Sequence, residues 1–239
     1  MKFDKLLVTI PHWSKKIPKG YEKRILERSA IWKHIDPGTD QLFNLDKAKI
    51  IKAKYTRFVV DLNRRRNDFS NKGVLIKVAW DGEKVWKNYP DKQEIELLLQ
   101  THYDPFFESL KKWIAKQNGT VLHVDGHSMN PFGGSHSIDV RKERPDICLM
   151  DNHQSTCLGE FSRELKEDFE KLGYWTEIGL PYSGRKSAII NKLSDKEKIH
   201  SIGIEVNKRL YMGGIEILYP KKIKVVRNQI NKVILKHVK

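Results

Sequence analysis

The sequence predicts an α/β fold: a single domain over residues 1–239 with a mixed, mostly parallel sheet flanked by helices on both faces. Three observations lead there. Short β-rich apolar runs alternate with segments of helical period along the whole chain. Several of those runs end abruptly at polar residues or glycine, as strands do where they emerge from a covered sheet. No repeat, low-complexity stretch or Pro/Gly-rich linker divides the 239 residues, a length that can bury one sizeable core.

Taken in order, LLVTI (6–10) is the first expected strand, and AKYTRFVVDL (53–62) is the second. Pro90 to Lys116 opens with an acid-rich turn and spaces Ile95, Leu98, Leu99, Phe106, Phe107, Leu110 and Ile114 along one helical face. Pro105 should break or kink it, because proline lacks the N–H of the helical ladder. TVLHVDGHS (120–128), PDICLM (145–150) and SIGIEVN (201–207) complete the strand set. Leu158 to Leu172 carries Phe161, Leu165, Phe169 and Leu172 on one face and is the second expected helix.

Composition narrows the class. Two cysteines, Cys148 and Cys157, cannot build a disulfide framework and lack the paired spacing of a zinc ribbon. No apolar run approaches the roughly 20 residues of a membrane helix, and the N-terminus lacks a cleavage site, so a cytoplasmic protein without a membrane partner is expected. The net charge of +15 would suit a nucleic-acid-binding basic protein. The lysines, however, are scattered among acidic and apolar residues, and the aromatics fall mostly in apolar spacing, so a solvated basic surface is the better reading.

Chemistry is expected at strand ends, where open α/β sheets bind their ligands. His12 follows the first strand after Pro11, His127 ends VLHVDGHSM, and Glu205 interrupts the apolar SIGIEVN, where an unpartnered carboxylate is costly. Metal-assisted hydrolysis needs about three N/O ligands, an open position, and a carboxylate able to take a proton from water. His12 and His127 can supply two ligands, Asp36 or Asp40 of HIDPGTDQLF a third, and Glu205 the base. YTRFVVDLNRRRND adds Arg57, Asn63 and Arg64, a plausible clamp because guanidinium groups hold carboxylates bidentately.

These residues belong to an ordered series of motifs: PHWSKKIP, DPGTDQLF, RFVVDLNR, WDGEKVW to Pro90, HYDPFFESL, VDGHSM, RPDICL, LPYSGRKSAI and IEVNKRLYM. In that order they resemble the N-formylglutamate amidohydrolases, which look like distant relatives of the zinc carboxypeptidases and share their phosphorylase/hydrolase-like architecture. The resemblance implies a hydrolase that cleaves a linear amide C–N bond of an N-acyl, by preference N-formyl, acidic amino acid, with one Zn2+ per chain. It implies His12, His127 and, by preference, Asp40 as metal ligands. Glu205 and Arg57 would be catalytic, Arg57 by polarising the scissile carbonyl, and Asn63 and Arg64 would hold the substrate's carboxylate. Two departures fall where the pocket would be lined: Trp13 beside His12, where a small residue is common, and Arg185, where glycine is usual and which is expected to touch substrate. His136 and His153 are further histidines that could reach the pocket or lie on the surface. A catalytically silent relative that only binds ligand is the alternative on the same fold.

Overall fold

The computed structural model describes residues 1–26, 28–135, 137, 139–214 and 216–239. His136 lies outside them. A six-stranded sheet runs in the order β2-β1-β3-β6-β4-β5, where β1 is Lys5–Ile10, β2 Ala48–Lys52, β3 Val121–Met129, β4 Ile147–Met150, β5 Thr176–Ile178 and β6 Ile199–Asn207. Every pairing is parallel except β4 against β6, so the sheet is mixed and mostly parallel, as expected.

Helices cover both faces. On one face, α2 (Thr39–Leu42), α5 (Gly159–Glu170) and α7 (Pro220–Leu235) pack Leu42, Phe161, Leu165, Ile230 and Ile234 against Leu6, Val8, Val124 and Ile204. On the other, α3 (Lys92–Leu98), α4 (Asp104–Ala115) and α6 (Ala188–Leu193) pack with Leu7, Val121 and Ile199. A short α1 (Arg28–Trp32) precedes α2. β3 is buried along all nine residues, so its polar members His123, Asp125, His127 and Ser128 stand out. Among the described residues, no helix is long and apolar enough to cross a membrane.

One expectation is corrected. AKYTRFVVDL is not a strand: residues 53–62 form turns, with Val59 N–H donating to Thr56 O (3.0 Å) and Asp61 N–H to Val74 O (2.7 Å). Its apolar residues Phe58, Val59, Val60 and Leu62 are buried in the second core, and burial alone produces the same run of letters as a strand. The edge strand β2 and the helix α7 were not anticipated. Pro90 to Lys116 is interrupted as expected, by a π-helical segment at Leu99–Tyr103 directly before Asp104–Ala115, and this wider turn accommodates Pro105 in the first turn of α4.

Candidate metal centre and catalytic crevice

The ends of β1, β3 and β6 lie side by side, and the strand period of two decides what they present. His127 is directly opposite Glu205 across β3 and β6, and Thr9 of β1 is opposite Asp125. His123, Asp125 and His127 alternate along β3 and therefore share one face with Ser201 and Glu205 of β6. Gly126, between two of them, permits the close approach of Phe43, whose ring carbons would lie 2.5 Å from any added Cβ.

His12 stands just past β1, and its carbonyl accepts the Asp36 N–H at 2.9 Å, which ties the two segments together. Gly38, at φ 79°, then turns the chain into α2. The result is a buried group in which ligand atoms of His12, Asp36 and His127 all lie within 4.8 Å of one another. Asp36 Oδ2 is 3.2 Å from His127 Nδ1 and 3.6 Å from His12 Nδ1, while Oδ1 accepts from Ser128 Oγ at 3.2 Å. Asp40 does not enter this group. It sits in the first turn of α2 and faces a surface groove, with its carboxylate 3.8 Å from Lys52 Nζ. The turn at Pro37–Gly38 separates the two aspartates, so Asp36 replaces Asp40 as the third donor beside the histidines.

The outward nitrogens of both histidines are held by buried carboxylates. His12 Nε2 donates to Asp61 Oδ1 and His127 Nε2 to Asp125 Oδ2, each at 2.8 Å. This leaves both Nδ1 atoms directed at Asp36, the carboxylate–histidine arrangement that orients metal-binding imidazoles. Burial raises the Asp36 carboxyl, but hydrogen bonds from His12 and His127 outweigh it and hold the group well below the usual carboxylate range. Burial likewise works against ionised Asp61, yet the Arg57 and His12 charges keep it low. His127 is raised well above an ordinary histidine because its carboxylate partners, Asp125 first, overcome desolvation. Two histidines and a carboxylate, each with its remaining atoms satisfied, are a donor set that suits zinc.

Glu205 differs from all of these. The residue is half-buried, and among the described residues its side chain has no hydrogen bond or ion pair. Desolvation, only partly offset by the His127 charge, pushes it up to about 7. Arg64, Arg144 and Lys208 are close enough to feel its charge. Lys208 Nζ donates to Ile35 O at 3.0 Å and has no carboxylate within ion-pair distance among the described residues. Arg144 is buried, with Nε and Nη2 on Asp139 at 2.7 and 3.0 Å and its guanidinium carbon 5.2 Å from the centre of the Tyr182 ring.

The arginine-rich segment divides its labour. Arg57 Nε and Nη2 are committed to Asp61 at 3.1 and 2.6 Å, with the Trp80 ring 4.4 Å away, so Nη1 alone is left for a carbonyl oxygen. Asn63, expected to hold a carboxylate, is instead consumed by the frame. Its Nδ2 donates to Asp125 at 3.3 Å, and its Oδ1 accepts from Ser187 Oγ at 2.7 Å and Ile189 N–H at 3.2 Å. Arg64 uses Nε and Nη1 on the carbonyls of Lys72 and Asn63, leaving Nη2 unengaged among the described residues. Arg185 is exposed, and among the described residues only its backbone N–H is bonded, to Ser183 Oγ at 3.4 Å. Trp13 is anchored by its indole N–H on Ala53 O at 2.7 Å, with its ring under Lys52. His153 lies on an exposed turn at φ 56° after β4, whose antiparallel direction puts that turn at the other end of the sheet.

Sequence reasoning missed Asp61, Asp125, Arg144 and Lys208. The signal for Asp125 was present, since Asp125 and His127 are two apart on a strand and must share a face. Asp61 had no such signal, because turns carry no fixed period.

Comparison with known proteins places the chain among relatives of one kind. The chain is 24% identical over 222 residues to an N-formylglutamate deformylase of Pseudomonas putida, covering 87% of this chain and 81% of that protein. A second N-formylglutamate deformylase, from Pseudomonas aeruginosa, is 24% identical over 165 residues, 64% of this chain and 61% of that protein. Among solved structures, N-formylglutamate amidohydrolase from Ralstonia eutropha JMP134 superposes with a TM-score of 0.84 at 17% identity, over 99% of this chain and 93% of that one. A gene product of Agrobacterium tumefaciens superposes with a TM-score of 0.74 at 16% identity, over 98% and 90%. The family model for N-formylglutamate amidohydrolase matches residues 4–212, and the chain belongs to that family.

Proposed function

We propose that this protein is a metal-dependent amide hydrolase that releases the acyl group, by preference formyl, from an acidic amino acid such as N-formylglutamate. The observation that carries the proposal is the meeting of His12, Asp36 and His127 beside Glu205, a raised carboxylate with no partner of its own among the described residues. The names of the relatives supply the substrate.

In this reading His12, Asp36 and His127 would hold one zinc ion, with His12 Nδ1, the Asp36 carboxylate and His127 Nδ1 being the atoms that converge. Such an ion supplies Lewis-acid polarisation and makes water easier to deprotonate near neutral pH. Glu205 takes a proton from the attacking water as the new C–O bond forms at the acyl carbon. The C–N bond then breaks as Glu205 passes that proton to the departing nitrogen, giving formate and the free amino acid. Arg57, through Nη1, faces the carbonyl oxygen as negative charge grows there, and Asp61 fixes its aim. Arg64 and Lys208 meet the carboxylates of the substrate, since each keeps donor capacity among the described residues and lies near enough to feel the Glu205 charge. Asn63 serves as a positioning residue for Asp125.

The test is a panel of N-formyl and N-acetyl amino acids assayed for amine release, run together with metal analysis of the purified protein. About one zinc per chain and turnover confined to acidic N-acyl amino acids are expected. Stoichiometric metal without turnover of any member would favour the silent relative, and a metal-free protein would remove the basis of the reading.

A further inference from the structure

Behind the metal centre, three polar side chains occupy strand positions that would otherwise belong to the apolar core. Thr9, His123 and Ser201 come from β1, β3 and β6, all are 0% exposed, and they form one hydrogen-bonded line ending on Asp125. Burying three polar groups in adjacent central strands costs stability relative to apolar residues, so their presence calls for a role.

The direction of every proton in the line follows from its end. Asp125 is met by three donor groups, Thr9 Oγ1 on Oδ1 and His127 Nε2 and Asn63 Nδ2 on Oδ2, so its carboxylate accepts from each. Thr9 has a single hydroxyl proton, and Oγ1 lies 2.5 Å from Asp125 Oδ1, so that proton points at the carboxylate. Thr9 Oγ1 must then accept from His123 Nε2, 2.9 Å away, which places a proton on that nitrogen. Burial pushes the His123 imidazole down to about 4, so the ring is neutral and Nδ1 is bare. Nδ1 therefore accepts from Ser201 Oγ at 3.2 Å. At the other end, Asp125 Oδ2 receives His127 Nε2 at 2.8 Å and Asn63 Nδ2 at 3.3 Å. Both carboxylate oxygens are thus engaged from opposite sides, and the carboxylate is not free to rotate.

We propose that Ser201, His123 and Thr9 form a proton-ordered brace, positioning residues that fix the Asp125 carboxylate and, through it, aim His127 Nδ1 at the metal position. The inference rests on the reading of His12, Asp36 and His127 as a metal centre, and it adds three residues that touch neither metal nor substrate.

Thr9→Val removes the hydroxyl while keeping the shape, and Thr9→Ser restores it. The readout is the zinc dissociation constant from titration against a chromogenic chelator, which requires no turnover. Thr9→Val should bind zinc roughly tenfold more weakly, as for loss of an orienting partner, and Thr9→Ser should recover to within about twofold. Ser162→Ala serves as a control, since it loses a buried hydroxyl bond to Asp151 (2.8 Å) at the opposite end of the sheet and should leave zinc affinity unchanged. Imidazole nitrogen shifts of the metal-free wild type should show His123 neutral, with its proton on Nε2. Equal zinc affinity in wild type and Thr9→Val, an equal loss in Ser162→Ala, or a proton on His123 Nδ1 would each overturn the brace. A wild type that takes up no zinc is a separate outcome, which overturns the metal reading and the brace's purpose with it.

Discussion

Asp61→Asn probes the frame around His12 more sharply than removal of the histidine itself. Asp61 is fully buried and accepts four hydrogen bonds: His12 Nε2 and Asn63 N–H on Oδ1, and Arg57 Nε and Nη2 on Oδ2. An amide of the same shape has one acceptor oxygen and one donor nitrogen, so either Arg57 or His12 meets a donor where it needs an acceptor. If Arg57 is left unpaired, a buried charge loses its counter-ion, which costs about 3–5 kcal/mol. The lower end applies, because one oxygen survives and the Trp80 ring still lies 4.4 Å from the guanidinium. A loss of about 3 kcal/mol should lower the melting temperature by roughly 6–12 °C in a chain of this size. If His12 yields instead, its orientation is lost, and zinc affinity should fall by about tenfold to a hundredfold. Thermal unfolding of the metal-free protein and a chelator competition separate the two. Wild-type zinc affinity together with wild-type stability would refute the orienting role of Asp61.

Three other outcomes are expected. Asp36→Ala should abolish stoichiometric zinc binding while Asp40→Ala keeps it, and inductively coupled plasma analysis of both proteins checks the assignment of the third donor. Arg64→Ala and Lys208→Met should each raise KM for a dicarboxylate N-acyl substrate by about tenfold, the order of 1.4 kcal/mol for one charge-assisted hydrogen bond; an unchanged KM in both would place the anion contacts elsewhere. His123, held at about 4 when folded against about 6.5 when unfolded, favours the folded state fully above pH 6.5, and that contribution is lost as pH falls toward 4. The loss amounts to about 3 kcal/mol, and denaturation midpoints across that window should fall more steeply in wild type than in His123→Gln.

The parts of the molecule legible in the sequence are those governed by a period. β1, β3, β4 and β6 were readable from apolar runs ending in polar residues, and α5 from its four-residue spacing of Phe161, Leu165 and Phe169. His12, His127 and Glu205 were visible as polar breaks at strand ends, and the structure brings these three together. What failed depended on turns. The Pro37–Gly38 turn chooses Asp36 over Asp40, and no local pattern distinguishes two aspartates four residues apart on either side of it. Phe58 to Leu62 looked like a strand because turn residues packed under a core are as apolar as strand residues. The commitment of Asn63 to the frame depends on Ser187 and Ile189, more than 120 positions away in the chain, a contact only the fold creates.

The most direct measurement is amine release from N-formylglutamate by wild type and Glu205→Gln, with zinc content determined on the same samples. Glu205 touches none of the proposed ligands through a hydrogen bond, so the variant should retain about one zinc per chain while kcat falls by about a hundredfold to ten-thousandfold, the range for loss of a positioned acid–base group. A Glu205→Gln protein that keeps both its zinc and wild-type turnover would contradict the assignment of Glu205 as the base.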